Sequence, residues 1–254
     1  MLPERFTGFF NYHKVPRNSR FLVAVSGGVD SVVLAKLCKI SAFDFSIVHC
    51  NFNLRGDESS RDAAFVEQLA ATYQVPYFSE SFDTSGYVAE HKLSLQEAAR
   101  NLRYQFFKET AVAQNFHYTL LAHHAGDNAE TLMMHFFRGT GLKGLTGIPE
   151  IVKTEQQLLR PMLQFRKEAI VSYAQEQQLE WVEDQSNAST KYTRNFFRHE
   201  VLPLVKKVYP QADENLQNNI NRFKGIYSIY QSAIEAIKKD LVEKYFDEVR
   251  IPVK

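Results

Sequence analysis

Phe21-Leu22-Val23-Ala24-Val25-Ser26-Gly27-Gly28-Val29-Asp30-Ser31 is the stretch that decides the fold. Five consecutive apolar residues suit a strand buried on both faces, Ser26-Gly27-Gly28 breaks it, and Val33, Leu34, Leu37 and Cys38 follow on helical spacing. Phe45 to His49 reads as a second strand, ended by the polar run Asn51 to Asp57. Ala63, Phe65, Val66, Leu69, Ala70 and Tyr73 then mark a second helix. Strand, helix, strand, helix predicts a parallel α/β sheet.

Working outward, further strands are expected near Val75 to Phe82 and over Tyr118 to Ala122. Ser94-Leu95-Gln96-Glu97 is a capping box that opens a long helix, because each side chain can satisfy an orphan amide of the first turn. Helix is also expected after Asp127 and over residues 166–178, with a glycine-punctuated loop from Arg138 to Gly144. Beyond Pro210 the pattern predicts helix to about Val249, and no strand is expected after residue 182. Residues 1–209 are therefore expected to form the domain that carries the loop, and 210–254 a small helical extension.

With 44% hydrophobic and 23% charged residues the 254-residue chain is expected to be globular rather than disordered, and a net charge of +1 excludes a broadly basic nucleic-acid binder. One basic patch is still expected: Lys191, Arg194, Arg198, Lys206 and Lys207 face only Glu200 within residues 191–210. Cys38 and Cys50 match neither a disulfide framework nor a C-x-x-C or zinc spacing, which fits a reducing cytoplasm. Phe21 to Val25 is the longest apolar run, far short of the roughly 20 residues a membrane span needs, and Met1 to Arg5 is no signal peptide. A soluble cytoplasmic protein with no membrane partner is expected.

Ser26, Gly27, Gly28, Val29, Asp30 and Ser31 form an anion cradle in this setting. The glycines let backbone approach a phosphate, the helix start supplies N–H groups, and the serines add hydroxyl donors. Asp30 would repel phosphate by itself, so a divalent cation bound by Asp30 is expected between them. The alternative is a plain glycine–serine turn with Asp30 capping the helix. No Walker A pattern is present.

The loop resembles the PP-loop of N-type ATP pyrophosphatases. His49-Cys50-Asn51-Phe52-Asn53-Leu54-Arg55-Gly56, Ala99-Arg100-Asn101-Leu102-Arg103-Tyr104, His123-His124-Ala125-Gly126-Asp127-Asn128-Ala129-Glu130-Thr131, Arg138-Gly139-Thr140-Gly141, Arg160-Pro161, Glu183-Asp184-Gln185-Ser186-Asn187 and Tyr192 to Arg198 follow in the order seen in tRNA(Ile)-lysidine synthetases. The resemblance covers roughly residues 20 to 203. It implies a Rossmann-like, mostly parallel sheet with ATP and Mg²⁺ as cofactors. The implied partners are free L-lysine and a tRNA(Ile) with a CAU anticodon, whose wobble cytidine would be adenylated and then joined to lysine. A homodimer is one option for its assembly.

That chemistry needs a carboxylate near the lysine amine, because only about 0.04% of an amine with a pKa near 10.4 is neutral at pH 7. Asp127 and Glu130, three apart, are expected to contact the amine or the metal, with His123 four residues from Asp127 on the same helical face. A solvated helix start is the bland reading of the same acids. His124 fits a structural role equally well. Asp30 and Arg100 complete the expected catalytic set; Arg55, Arg103, Arg138, Arg194, Asn195 and Arg198 are the expected substrate and tRNA contacts. Phe65, Tyr73, Phe106 and Phe107 are expected in the core.

Two departures stand out. Gly126 occupies the place of the family's usual first aspartate, and many members carry a further C-terminal tRNA-binding domain, expected to be missing from a chain ending at Lys254. The alternatives are another PP-loop adenylating enzyme, a tRNA thiolase or amide-forming synthetase, and a nucleotide-binding module without catalysis. Thiolases commonly need more cysteines than two.

Overall fold

The structure, a computed structural model, describes residues 2–54, 56–153, 157–183, 193–245 and 248–250. The chain divides into two compact units, residues 1–127 with 149–187, and residues 128–148 with 188–254.

The first unit is built on the expected alternation: α1 (Leu2–Tyr12), β1 (Arg20–Ala24), α2 (Val29–Ile40), β2 (Asp44–Asn51), α3 (Asp57–Tyr73), β3 (Tyr77–Ser81), α4 (Thr84–His91), α5 (Leu95–Ala113) and β4 (Tyr118–Leu120). α6 (Ala125–Arg138) runs from the first unit into the second, which also holds α7 (Leu142–Leu145). The first unit then resumes with β5 (Ile151–Val152), β6 (Gln157–Leu159) and α8 (Lys167–Glu176). The sheet order is β3-β2-β1-β4-β6-β5, parallel throughout except for β5 against β6.

The unbroken apolar run of β1 has a direct cause. Phe21, Val23 and Val25 join a core with Phe6, Leu34, Val66 and Ile170 from α1, α2, α3 and α8, whereas Leu22 joins Val48, Phe107 and Ala111 on the α5 side. A strand covered on both faces has no position left for a polar residue. Phe107 and Tyr73 are buried as expected, and Phe65 and Phe106 pack at the edges of the two clusters. The capping box forms as read: Ser94 Oγ accepts from Glu97 N–H at 3.3 Å, and the Glu97 carboxylate accepts from Ser94 N–H at 3.1 Å.

The second unit continues through α9 (Thr193–Phe196), a π-helical turn (Phe197–Val201), α10 (Leu202–Val208) and α11 (Ala212–Leu241). Tyr209 and Pro210 lie inside this unit. The sequence reading fails after α11. Val242 turns extended (φ −105°, ψ 112°), and β7 (Glu243–Tyr245) pairs antiparallel with β8 (Glu248–Arg250), where helix to Val249 and no strand had been expected. Strands of two or three residues are too short to display an alternation, which also explains why β5 and β6 carry no sequence signal. Among the described residues no helix is long and apolar enough to cross a membrane.

Candidate nucleotide-binding and catalytic site

β1 lies between β2 and β4, where the sheet order changes direction, and the loop Ser26–Ser31 leaves its carboxyl end. That is the crevice in which open parallel sheets bind ligands. The loop is held from several sides. His49 Nδ1–H donates to the Val25 carbonyl at 2.8 Å, and burial pushes the His49 pKa down, so the neutral ring keeps that N–H as a fixed donor. Gly27 adopts φ +96° while its carbonyl accepts from Val182 N–H at 3.0 Å. A left-handed conformation of this kind favours glycine. Ser31 Oγ accepts from Ser26 N–H at 3.1 Å and donates to the Gly28 carbonyl at 2.8 Å. Ser31 is buried and shapes the loop; Ser26 is exposed. Gly28, at the N-cap of α2, supplies no side-chain cap, which leaves the first turn available to an anion.

Asp30 does not cap the helix. Its two carboxylate oxygens accept from Lys167 Nζ at 2.7 and 2.8 Å. His124 Nε2 lies 4.0 Å from Asp30 Oδ2 and 3.7 Å from Asp127 Oδ2. Gly126 N–H donates to His124 Nδ1 at 3.0 Å, which places the proton of the neutral ring on Nε2, facing both acids. Asp127 Oδ2 also accepts from His124 N–H at 3.0 Å. A Cβ at Gly126 would sit 2.8 Å from His124 Cε1, so a side chain there would make the ring shift.

His123 falls before α6 begins, so it has no helical relation to Asp127; the adjacent His124 lies 3.7 Å from Asp127 Oδ2. Lys167 was missed altogether. It is 137 residues from Asp30 and carries no local signal.

In the second unit Glu130, with a side chain 3% exposed, is gripped by Arg198, whose Nε donates to Oε1 at 2.6 Å and Nη2 to Oε2 at 3.0 Å. Arg194 Nε lies 3.5 Å from Oε2, and its Nη2 donates to Thr131 Oγ1 at 2.8 Å. The expected helical neighbours Arg194 and Arg198 thus share a partner, and that partner is the acid expected to meet the amine. Asn195 is half-buried and Arg138 exposed. Arg103 lies over the Phe52 ring at 5.3 Å and Arg100 over Tyr104 at 4.8 Å. Arg55 and residues 184–192 lie outside the described residues.

Among the described residues no three His, Cys, Asp or Glu side chains converge as a metal cage. A hard cation does not need one here. Mg²⁺ commonly takes one or two carboxylates and completes its shell with phosphate oxygens and water, and the Asp30 and Asp127 carboxylates, each within 4.0 Å of His124 Nε2, would fit such a cation.

A glycine–serine loop at the switch point of a parallel sheet, with an acid and a lysine at its mouth, defines a nucleotide-binding α/β domain. The model of the PP-loop domain matches residues 3–205, and the chain belongs to that family. Its curated relatives include the tRNA(Ile)-lysidine synthases of Porphyromonas gingivalis (39% identical over 214 residues, 84% of this chain and 47% of that protein) and Petrotoga mobilis (34% over 238 residues, 92% and 73%). The chain spans about half the length of curated relatives of this kind from Porphyromonas, Parabacteroides and Bacteroides species. A solved U34-tRNA thiolase with its 4Fe-4S cluster, from Methanococcus maripaludis, shares the fold (TM-score 0.71, 13% identity, 87% of this chain and 77% of that one). An NH3-dependent NAD synthetase from Campylobacter jejuni superposes less closely (TM-score 0.51, 17% identity, 88% and 94%).

Proposed function

We propose that this chain joins lysine to C2 of the wobble cytidine of a CAU-anticodon tRNA(Ile), consuming ATP and acting in the cytoplasm. The observation that carries the reading is the Ser26–Ser31 loop at the switch point with Asp30 and Lys167 paired at its mouth, in a chain whose curated relatives are tRNA(Ile)-lysidine synthases. ATP chemistry falls to residues 1–209, beyond which α11 (Ala212–Leu241) and the β7–β8 pair follow.

In the first step O2 of the cytosine attacks the α-phosphorus, the bond to the bridging oxygen of the β-phosphate breaks, and pyrophosphate leaves. The α2 amides and Ser26 hydroxyl receive the departing anion. Lys167 supplies the positive charge that a Walker lysine would otherwise give, moving from Asp30 to phosphate. Asp30 would hold Mg²⁺, which would supply further positive charge against the phosphates. In the second step the ε-amine attacks C2, the C2–O2 bond breaks, and AMP leaves with that oxygen. Asp127, oriented by His124, binds the ammonium and draws off a proton as the bond forms. Glu130 is committed to Arg198 and Arg194, and its part is to set those arginines for the tRNA.

Thiolation is the rival reading. Cys38 lies in the core, where burial pushes its thiol pKa up, and Cys50 on β2 is pushed up to about 12 by burial. Neither suits a thiolate nucleophile or an iron ligand, and two cysteines fall short of the set an iron–sulfur cluster takes.

Incubation with ATP, Mg²⁺, lysine and CAU-anticodon tRNA, followed by nucleoside mass spectrometry, tests the reading. A wobble-position mass gain equal to lysine minus water, with AMP formed only when lysine and tRNA are both present, is expected. ADP as the product, or AMP formed with no modified nucleoside, overturns it.

A further inference from the structure

Arg160 is the first residue beyond β6, at the carboxyl end of the sheet where the Ser26–Ser31 loop also emerges. It is only 5% exposed. Its Nη1 donates to the Pro149 carbonyl at 2.8 Å, and its Nε is sealed from water with no acceptor. Among the described residues no carboxylate pairs with it. The side chains whose charge and polarity act on it are the Tyr104 hydroxyl and a second guanidinium, Arg100, itself laid over the Tyr104 ring at 4.8 Å. Burial and the like charge of Arg100 both weigh against the protonated form, yet a guanidinium stays charged at any working pH. A buried cation facing another cation, with a donor left over, is a site shaped for an anion that the protein itself does not supply.

We propose that Arg160, Arg100 and Tyr104 form a recessed subsite for the α-carboxylate of the lysine substrate. The proposal rests on the lysine-ligating reading above. The depth of Arg160 favours a small terminal oxyanion: a carboxylate presents two oxygens to a guanidinium fork, whereas an RNA phosphodiester would have to carry its flanking sugars in to a side chain only 5% exposed. The span also fits. β6 is two strand spacings from β1, roughly 10 Å, and an extended lysine reaches roughly 7–8 Å from carboxyl carbon to amine. With its carboxylate on Arg160 the substrate directs its amine back toward the nucleotide loop.

Cadaverine, which is lysine without the carboxylate, tests this. The full chain, with ATP, Mg²⁺ and CAU-anticodon tRNA, is assayed with each amine by nucleoside mass spectrometry. Wild type is expected to prefer lysine by at least about 100-fold in kcat/KM. Arg160→Gln and Arg100→Gln are expected to shrink that preference by at least about tenfold, through a raised KM for lysine, and Arg160→Lys to restore part of it. Because Arg100 is exposed, its variant keeps the test alive should Arg160→Gln melt below the assay temperature. An unaltered lysine-to-cadaverine ratio in the folded variants overturns the subsite. So does a change confined to tRNA affinity and its salt dependence, which would assign the arginines to a phosphate. Wild type that forms lysidine without preferring lysine overturns the subsite alone; wild type that forms none overturns the functional reading and the subsite together.

Discussion

Asp30 and Glu130 are both helix carboxylates held by a basic side chain, and they behave as opposites. The Asp30 side chain is 28% exposed and meets a lysine that is 40% exposed; the Glu130 side chain is 3% exposed and meets an arginine fork. An ammonium is a compact, mobile point charge in contact with water, so another anion or cation can take its place at little cost. A bidentate guanidinium on a buried acid is fixed in direction, and losing it would strand the Glu130 carboxylate away from solvent, although Arg198 itself is 31% exposed. The first pair can exchange its partner for another charged group in contact with water. The second is built to stay shut and to hold the backbone around it.

Breaking the closed pair gives the largest expected effect. Arg198→Met is expected to cost about 3–5 kcal/mol in unfolding free energy, read from urea denaturation, as is typical when the partner of a buried charge is removed; the Glu130 side chain is 3% exposed. An unchanged midpoint would mean that the pair is as exchangeable as the other. Gly126→Ala comes next, because its new Cβ drives into the His124 ring between Asp30 and Asp127; overpacking of this kind costs about 1–3 kcal/mol, and calorimetry reads it as a lowered Tm.

Lys167→Met opens the first pair. Its stability is expected to stay within about 1 kcal/mol of wild type, while pyrophosphate binding in the presence of Mg²⁺, measured by titration calorimetry, weakens about tenfold, equivalent to about 1.4 kcal/mol. Lost stability with unchanged pyrophosphate affinity would turn Lys167 into a purely structural partner. The smallest effect separates the loop's frame from its charge. His49 is buried with its pKa lowered from 6.5, so the unfolded chain takes up the proton first as pH falls. Stability conferred by the neutral ring is complete above about pH 6.5 and erodes below it toward the lowered folded pKa, by at most about 1.4 kcal/mol per pH unit. His49→Gln should flatten that slope between pH 6.5 and 5.

The loop and its sheet were legible because both obey local rules. Phe21 to Val25 is continuous because two faces need covering, and Gly27 and Gly28 sit where backbone conformation and close approach require them. Ser94 and Glu97 declare a helix start within four residues. Lys167, His124 and Arg160 were harder, since nothing near them in sequence tells which carboxylate, ring or carbonyl they will meet. Asp127 and Glu130 were found as a pair, but spacing on a helix does not say that one folds back on His124 while the other is taken by Arg198. The β7–β8 hairpin was lost because three residues per strand carry no period.

The π-helical turn at Phe197–Val201 contains Arg198 and joins α9 to α10. A turn of this kind is an α-helix with one residue too many, so excising a single residue there should let α9 and α10 fuse into one regular rod. Everything downstream would then rotate by about 100° about the helix axis. Leu202, now buried, would swing off its packing surface, and the grip on Glu130 would slip with it. Length in this short segment is therefore under tighter constraint than the identity of its residues, an indel being worse tolerated there than most point changes.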